Sequence, residues 1–323
     1  MSLTDLTSAP TTADTIDLAP RPGGPMVGTQ ARKRAAVREE RRKQRDQILG
    51  RSPLARGVAM AVLVSLAVIW LVPIAWSVVT AFTSEADAAS SASWFPKHGF
   101  TWDAFVKVIQ GSDLLRWMGN SLLISALVTV LTVLISAMAA YAFSCTQFRG
   151  RKTLMTLTVI SIMIPGQILI VPLFKEMSSF GMVDTFAGVI LPQIVAPVMV
   201  FILKNFFDAI PAELLDAARV DGAGPWRMFV RIVLPLSSSV LVAVAIFVFI
   251  GAWNNFLWPF IVTNDPSLMT LPVGLSTVKD AYGVQYAQTM ASAVIAALPL
   301  LLIFMFFQRK IVQSFATTGL GGQ

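Results

Sequence analysis

The stretch "LLDAARVDGAGPWRMFVRIVLPL" occupies residues 214–236. It gathers Asp216, Arg219, Asp221, Arg227 and Arg231 around Gly222 and Gly224, in a chain that is 55% hydrophobic and only 13% charged. Soluble domains average about 25% charged residues. Long apolar runs flank the stretch, so it has the character of a water-exposed loop between two membrane crossings. Pro211 suits a first helical position, where its missing N–H costs nothing. Glu213 and Asp216 in the first turns favour the helix dipole. Leu214, Ala217, Ala218 and Val220 form a short apolar face. Gly222, Ala223, Gly224 and Pro225 end the helix, because glycine takes the left-handed cap and proline cannot continue the ladder. Trp226, Phe229, Val230 and Val233 then predict a second amphipathic piece. The alanines at 217, 218 and 223 let another surface approach closely. Two readings stay open at this point: a compact connector, or a docking knob for a partner.

Six apolar runs lie at about 57–83, 118–144, 153–174, 186–207, 232–263 and 287–308. Each reaches the roughly 20 residues that a helix needs to cross a bilayer. The runs are continuously apolar without alternation, which favours helices over a barrel. The expected fold is therefore an all-α membrane protein with six transmembrane helices. The fifth run is long for one crossing, so part of it is expected in an interface or a tilted extension. With the N-terminus inside, 20 of the 25 Lys and Arg residues fall on the inner side. Only Lys97, Lys107, Arg116, Lys175 and Lys279 fall outside. That bias places both termini in the cytosol. The expected organisation is a basic cytosolic tail over 1–56 and a six-helix domain over 57–323, with its main cytosolic loop at about 208–231.

Composition excludes several classes. Cys145 is the single cysteine and His98 the single histidine, so internal disulfides, Cys-rich or multi-His metal sites and Ser-His-Asp or Cys-His catalysis are ruled out. No catalytic residue and no metal site is expected, and His98 reads as an ordinary loop residue. The first 25 or so residues have a disordered composition and no apolar core, unlike a secretory signal. The basic run "ARKRAAVREERRKQRDQI" reads as a solvated helical tail that fixes topology, or as a segment lying along anionic headgroups. It has no aromatic interleaving, so no nucleic acid is expected. "GGPMVG" at 23–28 has phosphate-loop glycine spacing, but Thr29 stands where the lysine belongs and no strand precedes it. Apart from Lys204 at the inner end of the fourth run, no Asp, Glu, Lys or Arg lies inside any expected span, where proton- and ion-coupled carriers keep such groups. The energy source is thus expected on another subunit, and the cargo without strong charge.

The opening stretch resembles the EAA loop of ATP-binding-cassette (ABC) importer permeases. That motif is an EAA triplet, three residues and a glycine, then nine residues and Ile-x-Leu-Pro. Here it reads Asp216, Ala217, Ala218, then Gly222, then Ile232, Val233, Leu234, Pro235. Asp216 replaces the usual Glu, keeping the charge and shortening the reach by one methylene. The resemblance covers most of residues 57–320 and narrows to the carbohydrate branch, the maltose and glycerol-3-phosphate type. "RWMGNSLLIS" from Arg116, "YAFSCTQFRGRKTL" from Tyr141, "MIPGQILIVPLF" from Met163, "ILPQIVAPVMVFILKNFF" from Ile190, "WNNFLWPFIV" from Trp253 and "FFQRKIVQSFATTGLGG" from Phe306 are similar to successive segments of that branch.

The resemblance implies a type I ABC importer (MetI-like) transmembrane domain that is not an enzyme. It implies binding-protein-dependent uptake of a sugar or oligosaccharide. The partners would be a second homologous permease subunit, two ABC ATPase subunits and an extracytoplasmic solute-binding protein, all within a bacterial-type cell membrane. ATP and Mg would sit on the ATPases, leaving this chain without a cofactor. The coupling residues would be Glu213, Leu214, Asp216, Ala217, Ala218, Asp221, Gly222 and Ala223, with Asp216 offering an ion pair to the ATPase. The C-terminal tail, Thr317, Thr318, Gly319, Leu320, Gly321 and Gly322, would reach the ATPase interface. For the cargo path, Trp253, Asn254 and Asn255 combine an indole face with amides, and Gln167 and Gln193 sit near prolines. The competing reading is that these amides tie helices together and the Trp anchors an interface. Two other functions stay in view: a self-contained secondary carrier of a neutral polar solute, and a scaffold that moves nothing.

Overall fold

Proline and glycine decide how the apolar runs become helices. We describe a computed structural model of the chain, which covers residues 53–90, 94–277 and 285–320, with side chains from 54 to 308. All regular structure among the described residues is helical, apart from one isolated antiparallel bridge between Thr83 and Phe100. Three helices are long and apolar enough to cross a membrane alone. They are α1 (Pro53–Ala81), α4 (Leu114–Cys145) and α15 (Tyr286–Leu320). Three further bent pairs bring the number of crossings to six if each counts as one span.

The bent pairs fall where breakers interrupt the apolar run. Met163–Pro165 separates α5 (Arg151–Ile162) from a 3-10 turn, Gly166–Leu169, that runs on into α6 (Ile170–Ser179). The chain bends there by 95°. Pro192 and Pro197 bracket a 45° bend between α7 (Phe186–Ile190), with its trailing 3-10 turn, and α8 (Pro197–Asp208). Proline supplies no N–H to the ladder and holds the preceding residue away from the helical region. The long fifth run is divided twice. Its first part lies in the charged connector with α11 (Leu234–Leu236), and an 80° bend leads into α12 (Ser238–Trp253). After a break at 254–256 it ends in α13 (Leu257–Val262). The remaining helices are α2 (Glu85–Ser90), α3 (Asp103–Gly111), α9 (Ala212–Val220), α10 (Pro225–Met228) and α14 (Leu271–Thr277).

The chain divides at Val72 and Pro73 into two units. In the first, the described residues are a single apolar helical stretch whose Leu63, Val64, Ile69 and Trp70 are exposed. The second unit is organised on α4, which packs along both α8 and α12. Its buried positions include Leu114, Trp117, Ser121, Ile124, Val128, Thr132, Ser136 and Ala140, spaced three, four or seven apart on one stripe. Small residues on that stripe let neighbouring backbones come close. Ile124, Val128, Ala137 and Tyr141 pack with Leu203, Phe207, Val240 and Val244 in one cluster. Leu114 and Trp117, at the other end of α4, join Val108, Leu271, Val273 and Ala291 in a second. The outward faces of these helices stay apolar, as expected where lipid tails are the solvent.

Three carboxylates tie loops of the second unit to one another and to a helix start. Glu85 accepts from the N–H groups of Tyr286 and Ala287 and so caps the start of α15. Asp87 is buried and accepts from the His98 backbone N–H (2.9 Å) and from its ring Nδ1 (2.8 Å). His98 is therefore more than the ordinary loop residue expected, because the fold brings a carboxylate to it from eleven positions upstream. Asp184 takes a left-handed backbone (φ 58°) and accepts from the N–H groups of Asn264 and Asp265. The backbone N–H of His98 is the main cause that holds the Asp87 carboxyl below its usual range, and the N–H of Asn264 does the same for Asp184. A depressed carboxyl contributes stability above its unfolded value, about 3.9, and loses it as pH falls through the folded value. Exchange protection of the His98, Asn264 and Asp265 amides, corrected for intrinsic rates, should hold from neutral pH to about 4 and collapse below. Protection lost already well above about 4 would overturn the assignment.

Candidate functional site

The connector between α8 and α12 begins at Pro211, which stands just before α9 rather than as its first residue. Leu215 and Ala218 form the buried side of α9 and join the first core cluster. Glu213, Leu214, Asp216, Ala217, Arg219 and Val220 face out, with Val220 87% exposed. Gly222 (φ 74°) supplies the left-handed cap. Its N–H reaches the Arg219 carbonyl (3.0 Å) and the Ala223 N–H reaches the Ala218 carbonyl (2.9 Å). These are the two bonds of a Schellman motif, and Ala223 packs inward beside them. Asp221 and Gly222 are exposed at the bend.

Beyond the bend, the expected face of Trp226, Phe229, Val230 and Val233 is only half realised. Phe229 and Val233 are buried with Met228, whereas Trp226 and Val230 face out. The reason is a π-turn over Phe229–Val233, which adds a residue to the turn and rotates the register. Pro235 follows directly and supplies no N–H to the ladder.

Three contacts join the connector to the rest of the unit. The Tyr141 hydroxyl, near the C-terminal end of α4, donates to the Pro225 carbonyl (2.9 Å), and its ring packs on Phe229. Arg219 reaches the Cys145 carbonyl at the end of α4 (3.4 Å) and pairs with Asp216 one turn away. Asp208, at the end of α8, accepts from Ser144 (2.6 Å) and pairs with Lys204. Asp216 thus has an intrachain partner, while Glu213 and Asp221 form no ion pair among the described residues. Sequence reasoning missed Tyr141, Ser144 and Arg219 as ties to this loop. The only signal was that Tyr141 opens one of the family-like segments, and nothing in the spacing says which distant carbonyl a hydroxyl will find.

The cargo-path candidates separate on inspection. Trp253 is 3% exposed, stacked on Phe249 (ring centroids 6.0 Å apart) within the second core cluster. Its face is closed to a ligand. Asn255 donates to the Gln193 side-chain oxygen (2.7 Å), and Gln193 donates to the Val189 carbonyl (2.7 Å). The fold therefore brings together two amides 62 positions apart and uses them as an interhelix tie. Asn254 and Gln167 remain exposed, each beside a helix break. Among the described residues no group of His, Cys, Asp or Glu could hold a metal ion. Thr317, Thr318, Gly319 and Leu320 fall in the last turns of α15, whose side chains there lie outside the described residues, as do Gly321 and Gly322.

Residues 132–317 match the family described as "Binding-protein-dependent transport system inner membrane component". The arabinooligosaccharide transport permease of Halalkalibacterium halodurans is 39% identical over 71% of this chain and 82% of its own length. The diacetylchitobiose uptake permease of Streptomyces coelicolor is 31% identical over 80% and 86%. The trehalose/maltose transport permease of Thermococcus litoralis is 31% identical over 86% and 100%. A chain from the crystal structure of a bacterial ABC transporter involved in import of the acidic polysaccharide alginate has the same fold, with TM-score 0.73 and 19% identity. It covers 80% of this chain and 98% of its own. Three spanning helices, three bent apolar pairs and a charged, glycine-capped helix between the last two of those pairs agree with these matches: the chain belongs to the family of binding-protein-dependent transport system inner membrane components, the permease subunits of ABC importers.

Proposed function

We propose that the chain forms half of the translocation pathway of an ATP-driven importer of a sugar or oligosaccharide, and that α9 with its glycine bend is the contact to a cytosolic ATPase. The observation that carries this reading is the two-sided build of α9. Leu215 and Ala218 anchor it in the core while Leu214, Val220 and Trp226 stay exposed among Glu213, Asp216, Arg219 and Asp221. An apolar patch ringed by charge, on a helix rigidly tied to the transmembrane unit, suits a partner surface that must transmit a push. The intrachain pair of Asp216 with Arg219 is exposed and contributes about 0.5 kcal/mol or less. A partner cation or carboxylate can therefore recruit either side chain at small cost.

ATP and Mg belong to the ATPase subunits in this reading, and this chain catalyses nothing. A second permease subunit completes the pathway, and an extracytoplasmic binding protein delivers the cargo. Residues 1–56 form the cytosolic tail and 57–323 the permease domain, with both termini inside by the charge bias. The tail from Thr317 to Gly322 extends toward the ATPases. The oligosaccharides named for the relatives supply the cargo class. Exposed amides such as Asn254 and Gln167 can hydrogen-bond neutral hydroxyls, whereas Trp253 and the Asn255–Gln193 pair hold the helices that line the route.

Photocrosslinkers placed singly at Leu214, Asp216 and Val220, in cells accumulating sugar, should capture a nucleotide hydrolase. A mild-detergent purification of the whole complex should bring a second permease with it. Crosslinks that never reach a nucleotide hydrolase during active uptake would remove the coupling assignment. A chain that transports alone down an ion gradient would replace the importer reading with a secondary carrier.

A further inference from the structure

The segment "WFPKHGFTW" at 94–102 follows α2 and folds back beside the outer end of α1. The Thr101 N–H donates to the Phe82 carbonyl (2.7 Å), and Phe100 bridges to Thr83. The Trp102 ring stands edge-on to Phe82 with centroids 4.7 Å apart. Trp94 goes further down: its ring meets Trp76 edge-on, with centroids 5.0 Å apart. Trp76 lies five residues before the end of α1 at Ala81, which is about 7.5 Å along the helix axis. A loop between two crossings thus sends an aromatic ring back to a level inside the crossing itself.

The segment is polarised. Its middle, Lys97 and His98, is exposed, and His98 is pinned to Asp87 above the end of α1. Its flanks are apolar and largely exposed: Phe95 is 81% exposed, Phe100 64% and Trp102 66%. Water-facing loops do not keep such a group of rings exposed without cause. Tryptophan and phenylalanine at the level of a helix end, with a cation just above, suit the boundary between acyl chains and headgroups.

We propose that residues 94–102 form an interfacial wedge. Trp94, Phe95, Phe100 and Trp102 insert into the acyl boundary of the leaflet where α1 ends, and Lys97 faces the phosphates. The occupant of this surface is lipid rather than a soluble partner, because a soluble partner cannot reach the level of Trp76. The wedge fixes the height of α1 against its own end loop. The inference rests on the membrane reading of α1 and not on the coupling assignment or the cargo.

Site-directed spin labelling tests it on the full chain, in the complex with which it co-purifies, reconstituted in phosphatidylcholine–phosphatidylglycerol vesicles. Cys145 is first replaced by Ser, and single labels are introduced at Phe95→Cys and Lys97→Cys. The label at Phe95→Cys should collide with oxygen more than with a water-soluble nickel chelate, and that at Lys97→Cys should show the reverse. In parallel, lipids brominated near the headgroup should quench tryptophan emission, and Trp94→Phe should remove part of that quenching. Nickel access at both positions would place the segment in water and overturn the proposal. Shielding of Phe95→Cys from both reagents would assign the surface to a protein partner and overturn it equally. The depth readout is independent of sidedness, so an inverted topology, read with an impermeant thiol reagent at Lys97→Cys, is distinguishable from failure of the wedge.

Discussion

Gly222→Asp should abolish ATP-coupled uptake while leaving the amount of protein in the membrane unchanged. A Cβ at this position would meet nothing within 4 Å, so no steric collision opposes folding. The left-handed backbone (φ 74°) costs an L-residue about 1–2 kcal/mol, and aspartate is among the side chains that visit it. That cost is local and small beside the burial of two core clusters. The functional effect comes from the bend's position. A fourth carboxylate would join Glu213, Asp216 and Asp221 on the exposed surface of α9 and its bend, where the proposed ATPase contact must close without a buried unpaired charge. Gly222→Asn provides the comparison: it has the same shape, tolerates the same backbone and carries no charge, so it should retain most uptake. Transport assayed in right-side-out vesicles, beside quantification of the membrane-inserted chain, reads both effects. Wild-type uptake by the Asp variant would sink the coupling role of α9.

Gly188→Ala should cost most of the folded protein. Gly188 lies in α7, pressed against the turn that ends the preceding helix pair. An added Cβ would sit 2.0 Å from the Met182 carbonyl oxygen, which is backbone and cannot swing aside. That oxygen also accepts from Thr185 (2.7 Å), whose own oxygen caps α7 through the Gly188 N–H (3.0 Å). The Gly188 carbonyl accepts from the Trp258 indole N–H on α13 (3.1 Å). Moving α7 away therefore breaks a cap and a buried hydrogen bond together. Overpacking of this kind costs about 1–3 kcal/mol, and each lost buried bond adds about 1 more. Gly119→Ala, where nothing lies within 4 Å of an added Cβ, should be neutral or slightly stabilising. Thermal stability in detergent, read as the surviving monodisperse fraction, separates the two. Equal melting of both variants would show that the α7 contact is not tight in the native protein.

The membrane class was legible because it depends on composition over long windows, and neighbouring residues supply that information directly. Six apolar runs, the position of the charged loop and the glycine bend after Ala218 all follow from local rules of hydropathy, capping and proline geometry. The left-handed Gly222 stands where those rules put it, whereas Ala218 is buried with Leu215 and does not share a face with the exposed Leu214, Ala217 and Val220. The breaks at 163–165 and 254–256 were legible only in part. Proline and asparagine mark a weak point, but the size of a bend, such as the 95° at 163–165, is not written in them.

The candidate site divided along the same line. The sequence by itself determined the kind of chain this is and where the helix of its charged loop begins and stops, since both are matters of residue type at short separation. Only the tertiary structure decided that Trp253 is sealed in a core, that Asn255 meets Gln193, that Arg219 turns to both Asp216 and Cys145, and that Tyr141 holds Pro225. Most of those contacts join positions more than 60 residues apart. An amide, a hydroxyl or an indole has the same local signature whether it faces cargo, lipid or another helix, and the partner that distinguishes these cases arrives through folding.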